Sequence, residues 1–443
     1  MSWLPAGTLM DRAATGLAAT CARLLPKVYG SRVVLLVGSG DNGGDALFAG
    51  ALLAQRGAVV SAVLLGSMAH AGGLTALRTA GGRIVGADAM ANAELVIDGI
   101  VGIGGKGGLR DDAAAVVELI PADALVVAVD VPSGVDADTG EVEGRAIRAD
   151  VTVTFGTWKP GLLIDPGAEH AGAVELVDIG LGPMLPTASI TALQAHDVET
   201  LLPAAEAESD KYSRGVVGIV AGSATYTGAA LLATGGALRA GAGMVRFASV
   251  AQSAELVRAR WPEALVTVLT DSPDVDVLAA GRVQAWVVGP GIGTDAFAEK
   301  LVAQVLSTNL PVVVDADALT IVARNPALVA TRGAPTVLTP HAGELTRLLG
   351  LEQEARRDVE ARRLQHARAA AQQLRATVLL KGSTTVVCGP DGVTRVNSNG
   401  TPWLATAGSG DVLSGITGAL FAGGLSAFDA ASCAAYLHGA AGR

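Results

Sequence analysis

The chain has 443 residues, 50% of them hydrophobic and 17% charged, which is long enough for two domains that each bury a core. Its 57 glycines keep no period of three, excluding collagen, and its hydrophobic share excludes a disordered chain. A formal net charge of −10 without a long Lys/Arg run argues against a nucleic-acid surface and for small soluble ligands.

The opening stretch "MSWLPAGTLMDRAATG" lacks the basic segment and unbroken apolar core of a signal peptide, and a cytoplasmic protein is expected. Cys21, Cys388 and Cys433 are too scattered for a disulfide framework or a metal motif and read as buried thiols in a reducing compartment. From residue 32 apolar β-branched runs alternate with helical stretches: "RVVLLVG", "AVVSAVLLG", "ELVIDGIVG", "ALVVAVDVPSG" and "ADVTVTFG" are predicted strands, and "ALFAGALLAQRG" a helix. Continuous rather than alternating apolarity implies strands covered on both faces, hence a mostly parallel α/β sheet with ligands beyond its carboxyl edge.

Residues 183–210 change character, with prolines and acids and no strand-like run. A domain over 1–190, a linker over 191–206 and a second domain over 207–443 are expected. The second series of strands is "GVVGIVAGS", "MVRFASV", "AWVVGPGIG", "PVVVDADAL", "PTVLTP" and "TVLLKGS", with helices at "GELTRLLG" and over "DVEARRLQHARAAAQQLRA". The uncharged tract from Gly215 to Leu238 is long enough to raise a membrane helix, but the polar, turn-forming "AGSATYTG" divides it into strand, loop and buried helix. The final helical stretch, "FDAASCAAYLHGAAGR", reaches Arg443 without a capping residue, as a shortened end would.

The stretch "GSGDNGGDALFAG" sets carboxylates where a phosphate cradle wants only N–H groups. A bound cation resolves this, because Asn42 and Asp45 offer hard oxygen ligands at the mouth of a helix and a further acid can come from another strand end, Asp98 or Asp130. Glycines between Gly102 and Gly108 let backbone N–H groups approach a pyrophosphate. The motifs "GDNGGDA", "VIDGIVGIGGKGGLR" and "DVPSGVDADTG" resemble the NAD(P)HX epimerase domain, over roughly residues 8–190. NAD(P)HX denotes NADH or NADPH hydrated at C6 of the nicotinamide ring. The resemblance implies a Rossmann-like three-layer domain with potassium ligands Asn42, Asp98 and Ser133. It also implies substrate contacts at Asp41, Asn42, Gly43, Gly44 and Asp45, at Gly102, Ile103, Gly104, Gly105, Lys106, Gly107 and Gly108, and at Asp130. Asp130 is expected to be catalytic, passing the proton and steadying the iminium formed when the C6–O bond breaks.

In "NGTPWLATAGSGDVLSGITGAL" glycines precede Asp411 and apolar residues then recur at helical spacing, so Asp411 lies at a helix start whose N–H groups can hold a phosphoryl group. An acid there can also be a simple cap. Other strand ends supply Asp315 and Asp317, His341 and Glu344, and Lys381 with Gly382. Together "VVGPGIG", "TPHAGE", "LKGS" and "AGSGDVLSG" resemble the ribokinase-like NAD(P)HX dehydratase domain, over about residues 207–443. The resemblance implies nucleotide contacts at Lys381, Gly382, Ser383, Thr384, Thr385 and Gly410, substrate contacts at Ala230, Gly291, His341 and Asp411, and ADP as co-substrate. Asp411 is expected to take the hydroxyl proton during phosphoryl transfer, with Mg²⁺ held through Glu344 and waters.

The reading is a homo-oligomeric enzyme acting on NADHX and NADPHX with ADP, without nucleic-acid or membrane partners. The alternatives are a vitamin-precursor or sugar kinase with an accessory nucleotide-binding domain, and a non-catalytic dinucleotide sensor.

Overall fold

The computed structural model describes residue 5 and residues 7–66, 68–204 and 207–443. The chain forms two compact units, Met1–Ala188 and Ser189–Arg443. The first holds a seven-stranded sheet of β1 (Arg32–Val37), β2 (Val59–Leu64), β3 (Arg83–Ile84), β4 (Leu95–Gly99), β5 (Leu125–Val129), β6 (Val151–Phe155) and β7 (Ala173–Val177). Its order is β3-β2-β1-β4-β5-β6-β7 and every pairing is parallel.

Apolarity at every residue of β1 after Arg32 has a direct cause. Val33, Leu35 and Val37 enter one core with helices Thr8–Leu24 and Asp41–Gln55, while Val34 and Leu36 enter another on the opposite face with Ala113 of helix Asp111–Val117. Burying both faces removes the polar alternation of a half-exposed strand. The strands β3 and β7, absent from the sequence reading, lie at the sheet edges: β3 has two residues and β7 is only half-buried.

The second unit holds ten strands, β8 (Ile190–Thr191), β9 (Val216–Val220), β10 (Met244–Ser249), β11 (Leu265–Val268), β12 (Ala285–Val288), β13 (Val312–Val314), β14 (Thr336–Leu338), β15 (Thr377–Leu380), β16 (Thr385–Cys388) and β17 (Thr394–Asn397). The order is β11-β10-β9-β12-β13-β14-β15-β16-β17-β8. β11 to β15 pair in parallel, whereas β16 runs antiparallel to both β15 and β17.

Three features depart from the sequence expectations. The described part of the expected linker, 191–204, is not free: β8 pairs with β17, and helix Ala195–Leu201 sends Val198 into the second core, while residues 205–206 lie outside the described residues. The predicted helix over 358–376 breaks at Arg362 (φ −122°, ψ 49°) into Arg356–Ala361 and Arg363–Leu374. The strands β8, β11, β16 and β17 were not anticipated, being short edge or hairpin elements. The uncharged tract is strand β9, a loop and helix Thr227–Arg239, and no described helix is long and apolar enough to cross a membrane.

Candidate functional site

In the first sheet the chain leaves β1 toward β2 on one side and later returns through β4 on the other. Loops leaving the two strands therefore diverge at their carboxyl ends, which opens a crevice. The turn out of β1 is tight: Gly38 N–H donates to the Gly99 carbonyl at 3.0 Å, and a Cβ on Gly38 would collide with the Ile100 carbonyl. A cavity of about 700 Å³ lies here, lined by Asp41, Asn42, Asp45, the whole loop Gly102, Ile103, Gly104, Gly105, Lys106, Gly107 and Gly108, and Asp130. Gly43 and Gly44 are buried in the helix beneath it.

Asp98, on central strand β4, is fully buried. Its Oδ1 accepts from Ser133 Oγ at 2.6 Å and from Ile100 N–H at 3.3 Å, and its Oδ2 accepts from Ser133 N–H at 2.8 Å. Burial pushes its carboxyl up to about 6 in spite of these bonds. No salt bridge reaches it among the described residues. Val101 N–H donates to Ser133 Oγ at 3.0 Å, and next along the loop Gly102 sits so close to Asn42 that a Cβ would lie 2.9 Å from Asn42 Oδ1. The Asn42 Nδ2 is buried without a partner. Asn42, Asp98 and Ser133 are thus gathered around residues 101–102, and a buried carboxylate without a cationic partner, with the Asn42 and Ser133 side-chain oxygens near it, fits a small cation better than it fits an apolar core.

Asp130 follows β5 with a left-handed backbone, φ 66°. Its Oδ1 accepts from Thr154 Oγ1 at 3.0 Å, Phe155 N–H at 3.1 Å and Lys159 Nζ at 2.5 Å. Lys159 is anchored in turn on the Phe155 carbonyl at 2.9 Å, and both members of the salt bridge are nearly buried. Lys106 of the glycine loop is exposed and bridges to Asp136 at 2.6 Å and Asp138 at 3.5 Å.

The second sheet has the same kind of switch between β9 and β12. Gly222 N–H donates to the Pro290 carbonyl at 2.7 Å, and a Cβ on Gly291 (φ 64°) would meet Ala229 Cβ at 2.8 Å and Tyr226 Cβ at 2.9 Å. Ala230, expected to touch substrate, is wholly buried in the core. Its methyl group faces Gly222 rather than solvent, since a Cβ there would lie 2.8 Å away.

Asp411 lies in the first turn of helix Ser409–Ala422, whose N-cap Gly408 has φ 87°. This helix packs on Thr227–Arg239 at very short range: Cβ atoms on Gly236 and Gly415 would strike the Val412 and Ala233 carbonyls. Lys381, at the end of β15, reaches the same place, 3.4 Å from where a Gly410 Cβ would stand. Its Nζ is 2.8 Å from Asp315 Oδ1 and 3.7 Å from Glu344 Oε2. Asp315 is buried and also accepts from Thr339 Oγ1 at 2.8 Å and Ser414 Oγ at 2.6 Å. Burial pulls the Lys381 ammonium down, but Asp315 and Glu344 outweigh it and hold the group above its ordinary value. Burial, then Asp315, pushes Asp411 up to about 6, with Lys381 opposing. The Lys381 ammonium thus stands beside the first turn of this helix, an arrangement that suits an anion, and Asp411 is the acid within that turn.

His341 caps helix Ala342–Leu348: its Nδ1 accepts from Glu344 N–H at 3.2 Å, and Glu344 Oε2 accepts from His341 N–H at 2.8 Å. Its ring is still half-exposed, and burial and then Lys381 drive its pKa down to about 4, so the neutral imidazole faces outward. No three His, Cys, Asp or Glu side chains converge as a metal cage among the described residues.

The family profile described as NAD(P)H-hydrate dehydratase matches residues 217–443, and that described as YjeF-related protein N-terminus matches residues 6–161. The "Bifunctional NAD(P)H-hydrate repair enzyme Nnr" of Mycobacterium leprae is 50% identical over 98% of this chain and 89% of its own length. Its namesake from Mycobacterium tuberculosis is 49% identical over 97% of this chain and 87% of its own. The chain belongs to the bifunctional NAD(P)H-hydrate repair family. A crystal structure of a ribokinase-like superfamily protein from Enterococcus faecalis superposes with TM-score 0.50 and 26% identity, covering 58% of this chain and 88% of that one.

Within this repair-family chain the sequence reading missed three contributors. Lys159 in "FGTWKPG" follows a strand end, the same signal that singled out Asp98 and Asp130. Ser414 lies one helical turn after Asp411 and holds Asp315. Arg363, buried on a helix face, donates to the Lys381 carbonyl at 2.9 Å and the Thr384 carbonyl at 3.1 Å, fixing the loop Lys381, Gly382, Ser383, Thr384 and Thr385. A lone arginine on an otherwise apolar helix face was the available signal.

Proposed function

We propose that the first unit interconverts the R and S epimers of NADHX and NADPHX at C6, and that the second dehydrates the S epimer to NAD(P)H while ADP is consumed to AMP and phosphate. What carries the reading is that each unit presents an acid at its switch-point crevice beside a matched lysine: Asp130 with Lys159, and Asp411 with Lys381.

In the first unit the glycine loop offers backbone N–H groups to the pyrophosphate, and Asp130 lies where cationic charge develops on the ring. Asn42, Asp98 and Ser133 would hold a potassium ion, which supplies a fixed positive charge under the dinucleotide phosphates. In the second unit Lys381 and the N–H group of Gly410 receive the phosphoryl group, and Asp411 takes the C6 hydroxyl proton as the oxygen attacks phosphorus. Expulsion of phosphate, driven by the N1 electron pair, then breaks C6–O far more readily than loss of hydroxide, and loss of a C5 proton to water gives NAD(P)H. Glu344 would reach a Mg²⁺ ion only through waters, as that ion tolerates, and the ion would neutralise phosphate charge. We further propose a cytoplasmic homo-oligomer, in keeping with three buried free thiols.

Hydrated NADPH of each separated epimer, incubated with ADP and Mg²⁺, tests this by the return of reduced-nicotinamide absorbance and the appearance of AMP and phosphate. Phosphorylation of a vitamin precursor with no NADPH formed would favour the kinase instead.

A further inference from the structure

Of the three carboxylates that line the first cavity, Asp45 and Asp130 are in opposite states of engagement. Asp130 Oδ1 is already taken by three donors, one of them the Lys159 ammonium. Asp45 has an oxygen, Oδ1, that is sealed from solvent and receives no hydrogen bond. A carboxyl oxygen without donors or water is cheapest when the group carries a proton. Asp45 lines the cavity together with the glycine loop and Asp130.

We propose that Asp45, not Asp130, is the proton-transferring residue of the epimerase reaction, and that the Asp130–Lys159 pair provides fixed charge. This rests on the epimerase reading above. Neutral Asp45 donates its proton to the C6 hydroxyl. The C6–O bond breaks with its electron pair leaving as water, and N1 supplies the pair that forms the N1–C6 iminium. Water adds to the opposite face of C6, releasing a proton to solvent, and the Asp45 carboxylate regains a proton from solvent, so the cycle closes without oxidant or reductant.

The surroundings agree. Burial pushes Asp45 up to about 7, and Asp130 and then Asp41 of its own helix add to this by repulsion. Lys159 stands behind Asp130 and is tied to it. On the packed helix Ala71–Thr79, the capping His70 has its Nδ1 occupied by Gly73 N–H at 3.0 Å. The site thus holds an acid poised near neutrality, where general acid–base transfer is most effective.

The test uses the full chain and separated epimers of hydrated NADPH, with epimerisation followed chromatographically against pH. The expected wild-type kcat is level below about pH 7 and falls tenfold per unit above it. Asp45→Asn is expected to lose roughly 10²–10⁴-fold in kcat with little change in KM and to lack that limb. Asp45→Glu should recover part of the rate with the limb displaced. An unchanged near-UV circular dichroism spectrum and thermal unfolding curve of Asp45→Asn report that the first unit is folded, and its ADP-dependent dehydration of the S epimer reports the same for the second. The proposal is overturned if Asp45→Asn keeps its rate and limb, or if only KM rises. Should that variant not fold, an undisplaced limb in Asp45→Glu overturns it. A wild-type chain that equilibrates the epimers no faster than buffer would sink the epimerase reading instead.

Discussion

The two units solve one electrostatic problem differently. In the first, Asp130 and Lys159 pair at 2.5 Å on the rim of the cavity, with side chains 13% and 12% exposed. In the second, Asp315 is 1% exposed and also accepts from Thr339 and Ser414, while Lys381 leans toward the helix that carries Asp411. Both aspartates end parallel strands, and in both units a non-glycine residue there takes a left-handed backbone: Asp130 itself (φ 66°) and Ala316 (φ 50°). The lesson is that the lysine's partner decides the lysine's task. Where the ligand-facing acid holds the lysine, the pair is a fixed dipole. Where a separate buried acid holds it, the lysine can meet an incoming phosphate and the second acid is left to take a proton.

The largest effect that would break this comparison lies at Asp411. Asp411→Asn should lower kcat of ADP-dependent dehydration by about 10²–10⁴-fold, with epimerisation by the same sample as control. Next comes Lys381→Met, which strands buried Asp315 and should destabilise the second unit by about 3–5 kcal/mol in denaturant unfolding. Lys159→Met, at the partly wet rim, should cost about 1.5–3 kcal/mol, the range for a charged hydrogen bond. Equal costs would show that the two pairs are equivalent.

The pH profiles should run in opposite directions. In the proposed dehydration Asp411 is the base, with its pKa raised to about 6, so dehydration should fall as pH drops through 6 and level off above it. In the proposed epimerisation Asp45 is the acid, raised to about 7, so epimerisation should fall as pH rises through 7. Lys381 lowers the Asp411 value, so in any residual activity of Lys381→Met the dehydration limb should move to higher pH. The smallest effect is at Ala316, whose φ 50°, ψ −118° backbone suits glycine. Ala316→Gly should stabilise the chain by about 1 kcal/mol, read as a raised Tm.

Much of this was legible because doubly covered strands announce themselves. "RVVLLVG" and "ALVVAVDVPSG" can only be central parallel strands, and their last residues then mark the crevice, which is how Asn42, Asp98 and Asp130 were found. Edge strands such as β3 and β8 carry too few residues for periodicity to speak. The residue over 362 looks helical by composition, and its φ −122° kink is set by packing that no local pattern encodes. Engagement was equally hidden: nothing in "NGGDA" says that Asp45 has a dry, donor-free oxygen, or that Lys159, twenty-nine positions after Asp130, pairs with one oxygen of that acid. Long-range hydrogen bonds are the part of a site that a linear pattern does not hold.

The central claim is that two acids in two crevices act on one hydrated carbon. Its most direct test is the recovery of NADPH from pure R epimer and from pure S epimer with ADP, by the wild-type chain and by Asp45→Asn. The account predicts that wild type recovers both, and that the variant recovers S at the wild-type rate and R only as fast as it epimerises in buffer. Recovery of R by the variant at the wild-type rate would contradict it.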